Sequence, residues 1–186
     1  METYEGLVRK VYTSKTKPAV LLVHNVFYNN GGNAQLMHGR IARHYDLPAV
    51  SMQSTSYPEV VSGHIENRDI TPDDLHPNDA GHALVASVIT YFLDTVRTED
   101  VKELSEPDYP APLTKNTYEK SIRHRNNDEK AVCSGFVADT SAQRDITDCF
   151  KHGWTASKKG DSITFDIEGY NVSVQYRKSV KLPAPV

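Results

Sequence analysis

Asp73 and His76 stand three residues apart in the run Asp73-Asp74-Leu75-His76-Pro77-Asn78-Asp79, and their types and spacing could do chemistry. An aspartate that close to an imidazole can orient the ring and stabilise its protonated form, as a hydrolytic triad requires of two of its three members. Pro77 fixes the backbone directly after the histidine, where a helix begins. The expected geometry places an Asp73 carboxylate oxygen at His76 Nδ1 and leaves Nε2 free, facing an open groove. Were Asp73 to point into solvent, Asp74 would take its place; the plain alternative is that Asp73 is a turn residue on the approach to the helix. The third member, a serine on a strand-to-helix turn, should lie upstream, and upstream offers almost nothing.

The elements that must position this pair are legible on both sides of it. Downstream, Leu84, Val85, Val88, Ile89, Phe92 and Val96 recur at three- and four-residue spacing, so a helix follows with one face covered. Asn78 or Asp79 can cap its start, and Arg97 suits the negative end of its dipole. Upstream, Ala19-Val20-Leu21-Leu22-Val23 is continuously apolar, as in an interior parallel strand, and Pro18 opens it at a tolerated position. Asn29-Asn30-Gly31-Gly32-Asn33 forms a loop tolerant of positive φ. A helix is then expected over Ala34 to Tyr45, closed by Leu47-Pro48, and a second strand over Ala49 to Met52, making a right-handed parallel unit. Tyr4 to Tyr12 also reads as a helix, weakened by Gly6. Two strands bury too little to make a doubly wound domain, and the first would expose an apolar edge open to self-association.

The Asp73-x-x-His76-Pro77 element resembles the last conserved block of the SGNH hydrolases, or GDSL-type esterases. The resemblance extends back through Lys17 to His24 and Ile41 to Ser51 and forward through the helix, over about the first half of the chain. It implies a flavodoxin-like α/β domain with a parallel sheet, in which Asp73 and His76 are the catalytic acid and base partners. It also implies a nucleophilic serine in a Gly-Asp-Ser block near the N-terminus, followed by glycine and asparagine blocks that build the oxyanion hole. None of the three precedes Lys17, so residues 1–97 are expected to be the C-terminal part of such a domain, inactive alone. The implied substrate is an acyl or acetyl ester, with a carbohydrate as the expected alcohol and no metal or organic cofactor. Gly160-Asp161-Ser162 spells the nucleophile block, but an alternating strand follows it where a helix should, so a β-turn before a strand is the better reading. A permuted triad is the alternative.

Residues 98–120 carry acidic side chains and then Pro107, Pro110 and Pro112, which make a linker or a wrapping segment. Beyond it, residues 121–186 switch to period two. Ile163 to Glu168 and Val172 to Tyr176, with Gly169-Tyr170-Asn171 between, read as a hairpin, and Ala131 to Val137 reads as another strand. This module resembles the small all-β sandwich appended to some carbohydrate-active SGNH esterases, complete or cut short at Val186. Trp154, Tyr170 and Tyr176 could stack on sugar, although aromatic residues in a small sandwich more often form its core. Cys133 and Cys149 either pair, as an exported parent would allow, or remain free thiols.

The formal net charge of -3 over 186 residues, with no basic patch, argues against nucleic acid or an anionic membrane as partner. No apolar run approaches the roughly 20 residues needed to cross a bilayer; no signal peptide is read in these residues, which says nothing of the parent if, as expected, the chain is cut from a longer protein. His76 and His82 are six apart, on different helical faces, so a shared metal is not expected. His24, His38, His44 and His64 are scattered and read as strand-end or surface residues. The competing class is a non-catalytic protein in which the sandwich binds glycan and the first half is scaffold.

Overall fold

Parallel pairing begins at Leu22, where the apolar run meets its partner. The computed structural model describes residues 1–98, 109–128, 131–141 and 150–177, which fall into two units, Met1–Lys120 and Ser121–Val186. In the first unit the order is α1 (Glu2–Tyr12), β1 (Leu22–His24), α2 (Gln35–His44), β2 (Ala49–Ser51), α3 (Ser56–Val61), α4 (Asn67–Ile70) and α5 (Asp79–Thr98). β1 and β2 are parallel, with Leu22, Val23 and His24 opposite Ala49, Val50 and Ser51.

Helices cover the two faces of this pair through the alternation of its side chains. Leu22 packs with Val8 of α1 and with Ile41, Ala42 and Tyr45 at α2. Val50 turns the other way, to Val26, Tyr28, Met52 and Ile70, against which Leu84, Val85, Val88, Ile89 and Phe92 of α5 are laid. The expected strand over Ala19 to Val23 is therefore corrected to Leu22–His24, because β2 offers a ladder only three residues long. Burial on both faces is corrected too: Leu22 and His24 are buried, whereas Val23 is 42% exposed. Among the described residues no third strand joins this sheet.

Local chemistry sets the helix ends. Asn78, not Asp79, caps α5: its side-chain oxygen accepts the Gly81 amide at 3.0 Å. At α2 the Asn33 side chain accepts the Gln35 amide at 3.0 Å, supplying the cap that Ala34 cannot. Gly6 has a positive reason for its place in α1. A Cβ there would lie 2.8 Å from the Cβ of Tyr118, so the glycine lets the later segment pass against the helix. That segment is fastened along α1: Arg9 pairs with Glu119 at 2.8 Å and donates to the Pro110 carbonyl at 2.9 Å. The Tyr109 hydroxyl donates to the Tyr12 carbonyl at 2.9 Å.

In the second unit, β3 (Val132–Ser134) pairs antiparallel with β6 (Ser162–Thr164), and β4 (Val137–Ala138) with β5 (Trp154–Thr155). The expected continuous strand over Ala131 to Val137 is broken at Gly135, φ 85°, where a Cβ would collide with the Asp161 carboxylate. The expected hairpin is also corrected. Ser162–Thr164 pairs with β3, and no strand forms between residues 165 and 177, where Val172, Val174 and Tyr176 are exposed. Alternation suits a chain to a ladder but does not supply the partner strand. Trp154 packs edge-on against Phe165, with ring centroids 5.2 Å apart. Cys133 is exposed, and Cys149 lies outside the described residues. The chain is thus a mixture of helices with small sheets, and none of its helices is long and apolar enough to cross a membrane among the described residues.

Candidate active site

The loop from Thr71 to Asn78, between α4 and α5, carries the acid and the histidine. Its ends are pinned. Thr71 is fully buried, and the Asn78 amide donates to the Ile70 carbonyl at 3.0 Å while its side chain donates to the Asp69 carbonyl at 2.9 Å. The middle of the loop is stitched to the chain leaving β1: the Tyr28 amide donates to the Asp74 carbonyl at 2.8 Å, and the Asn25 side chain to the Leu75 carbonyl at 3.3 Å. These bonds hold the loop beside the carboxyl end of β1, the side of an open α/β sheet where ligands bind.

Asp73 and His76 are brought together. Oδ2 of Asp73 lies 2.7 Å from His76 Nδ1, while Oδ1 accepts the backbone amides of His76 at 2.8 Å and Leu75 at 3.2 Å. The ring's hydrogen bond, followed by those from the two amides, pulls the Asp73 carboxyl down from its ordinary 3.8 to about 2. An ionised carboxylate at Nδ1 requires that nitrogen to carry a proton, which in the neutral ring leaves the lone pair on Nε2. His76 is 75% exposed. Such a ring is oriented by its acid and open to a reacting group.

Asp74 takes no part in that contact. Its Oδ1 accepts the Asn67 side-chain amide at 2.7 Å and pairs with Arg68 at 2.9 Å. Sequence reasoning missed Asn67, Arg68, Asn25 and Tyr28, since nothing in their spacing marks them as neighbours of the loop. A cleft of about 280 Å³ lies alongside, with Val23, Phe27 and Leu75 among its walls. Leu75 is the one member of the Thr71 to Asn78 loop that lines it, and His76 does not.

The remaining candidates stay out of the Asp73–His76 contact, although two of them, His24 and His38, come together with ring centroids 6.2 Å apart. His82 lies in α5, its amide donating to the Asn78 carbonyl at 2.8 Å. His38 stacks on Tyr4 at 3.7 Å, His64 pairs with Glu59 at 2.9 Å, and His44 meets the Ala111 carbonyl at 2.7 Å. Burial, with the neighbouring His38 adding to it, pushes the His24 imidazole below its usual range. Among the described residues no group of three or more histidine, cysteine or acidic side chains could hold a metal ion. Ser162 opens β6 from a turn: Gly160 has φ 95°, and the Asp161 carboxylate accepts the amides of Lys158 at 2.9 Å and Ser157 at 3.3 Å. No helix follows it.

No family model and no curated protein matches the chain. Solved structures do. The chain is similar to half of a carbohydrate esterase: a crystal structure of a two-domain esterase (CEX) active on acetylated mannans aligns over 98% of it, at 89% identity and a TM-score of 0.88. A second crystal structure, of a two-domain esterase (CEX) active on acetylated mannans co-crystallized with mannopentaose, aligns over 98% at 88% identity and a TM-score of 0.86. The chain spans about half the length of these proteins, 49% and 48%.

Proposed function

We propose that this chain is the C-terminal part of a serine ester hydrolase of the SGNH type, directed at acetylated carbohydrate, in which Asp73 and His76 are two members of the triad. The observation that carries this reading is the 2.7 Å contact of Asp73 with His76 Nδ1, on a loop held beside the carboxyl end of β1. Residues 1–97 belong to the catalytic domain and residues 121–186 to an accessory module of β-sandwich type. The nucleophilic serine and the oxyanion donors come from the part of the two-domain relative that this chain does not span.

In the assembled enzyme His76 Nε2 accepts the serine hydroxyl proton as the serine oxygen attacks the acetyl carbonyl. It then gives that proton to the departing sugar oxygen as the carbon–oxygen bond of the ester breaks. A water molecule, deprotonated by the same nitrogen, releases acetate and restores the serine. Asp73 holds the imidazole in the tautomer that leaves Nε2 basic and stabilises the imidazolium between the two steps.

Acetate release from acetylated mannan tests the reading. The chain alone should release none above a free-imidazole blank, and mixing it with the remaining half of the two-domain protein should restore turnover that His76→Ala removes. Turnover by the mixture that survives His76→Ala would refute it. The full exposure of Tyr170 favours a second, non-catalytic reading for the accessory module, as a glycan-contacting surface. Retardation of the chain in a mannan-containing native gel, lost in Tyr170→Ala, would mark that role.

A further inference from the structure

The Asp73–His76 pair cannot hold its own position, because an ion pair this exposed contributes little rigidity. What places it must lie in the loop backbone. Two consecutive carboxylates there point to opposite destinations: Asp73 caps its own loop under the ring of His76, whereas Asp74 turns to α4 with its side chain largely covered. The reversal happens at a backbone angle that L-residues seldom adopt, φ 72° at Asp74. Three contacts from two separate parts of the chain hold that angle. Arg68 and Asn67 of α4 bind the carboxylate at 2.9 and 2.7 Å, and the Tyr28 amide, beyond β1, binds the carbonyl at 2.8 Å.

Asn67 shows that charge governs the cluster. Its amide group donates to Asp74, which leaves its own Oδ1 buried without a hydrogen bond. The flipped amide would set oxygen against carboxylate, so the unsatisfied acceptor is the lesser cost.

We propose that Asp74, gripped by Arg68 and Asn67, is the positioning residue of the candidate triad: its left-handed backbone presents Asp73 and His76 outward in register with each other. The inference rests on the reading of those two residues as triad members, and it concerns their geometry alone. Relaxation of Asp74 to negative φ would swing the Asp73 carboxylate off both loop amides and the ring. Glycine at the position keeps the angle without strain but loses the grip, alanine loses both, and asparagine keeps the angle and the Asn67 contact while losing the charge that Arg68 requires.

The test is nuclear magnetic resonance on the full 186-residue chain, following the Asp73 carboxyl carbon and the His76 ring nitrogens through an acid titration, with no turnover needed. In the unaltered chain Asp73 should titrate near 2, with His76 Nδ1 carrying the proton. In Asp74→Ala and Arg68→Ala the Asp73 midpoint should rise by about one pH unit or more towards the ordinary aspartate value, and the Nδ1–H signal should broaden away. Arg68→Lys should recover part of the shift. Should Asp74→Ala fail to fold, Asp74→Gly and Asp74→Asn carry the same comparison, with smaller rises expected. An Asp73 midpoint and His76 ring shifts identical to the unaltered chain in every folded variant would overturn the inference. That result would leave the esterase reading standing, since the latter falls only on turnover that survives His76→Ala.

Discussion

The Glu5 carboxylate accepts the backbone amide of Leu113 at 2.6 Å across a separation of 108 residues. The same buried group takes the Tyr45 hydroxyl at 2.5 Å and the Thr114 amide at 2.8 Å, and the Thr114 hydroxyl as well. Burial alone would raise its pKa, but the bonds from Thr114, Tyr45 and Leu113 outweigh it and hold the carboxyl below its usual range. Glu5→Ala strands these donors and should cost about 3 kcal/mol of stability, read by urea denaturation. Because the folded pKa is depressed, the contribution of Glu5 is present above the unfolded value and lost as pH falls through the folded one. The stability difference between the unaltered chain and Glu5→Ala should therefore shrink in acid. A difference that is constant from neutral pH to pH 3 would contradict this.

Asp73 supplies a second measurable consequence. In the assembled enzyme Asp73→Asn should lower kcat about 10⁴-fold, the order found when a triad loses its orienting acid, with KM little changed. A loss confined to KM would mean that Asp73 binds substrate and does not orient the ring. Steady-state kinetics on acetylated mannan separate the two.

Gly81 is fixed by contact. A Cβ at this position would sit 2.2 Å from the Ile70 carbonyl oxygen, the atom that also receives the Asn78 amide. Gly81→Ala should force α5 away from α4 at a cost of roughly 1–3 kcal/mol, equivalent to a fall of about 3–10 °C in Tm by calorimetry. An unchanged Tm would show that the loop end tolerates displacement.

Leu36 is 78% exposed, and Val23, Phe27 and Met37 stand partly open in the same unit. Exposed apolar side chains of this kind favour association when they meet a second copy. The chain by itself should elute from size exclusion as a dimer or larger, with light scattering confirming the mass, and Val23→Lys with Leu36→Lys should shift it towards monomer. A monomeric unaltered chain at high micromolar concentration would remove this expectation.

Features carried by nearby residues were legible in the sequence. Two of the helices, α2 and α5, announced themselves by apolar spacing, and Asp73 and His76 could be paired on paper because three residues of a loop bring them into reach. The spacing favoured Asp73 over Asp74, but what turns Asp74 away from the ring, Arg68 and the Tyr28 amide, was not legible, because no periodicity connects either to the loop. The strands were overdrawn for a related reason. Ala19 to Leu21 and Val172 to Tyr176 have the composition of strands, but a ladder exists only where a partner runs alongside. Likewise the role of Gly6 became visible only with Tyr118 against it.

The fastening of α1 by residues 109–120 has a consequence for the order of events at synthesis. A ribosome adding about 5–20 residues per second produces Glu5 roughly 5–20 seconds before Leu113 and Thr114, the amides that complete its shell. During that interval α1 can coil and can meet Tyr45, but its carboxylate must stay hydrated, so the helix cannot finish docking. Closure across more than a hundred residues is entropically late and slow. The nascent first unit thus remains open until its last dozen residues emerge, which makes this stretch the completing step of the unit's assembly and not a spacer after it.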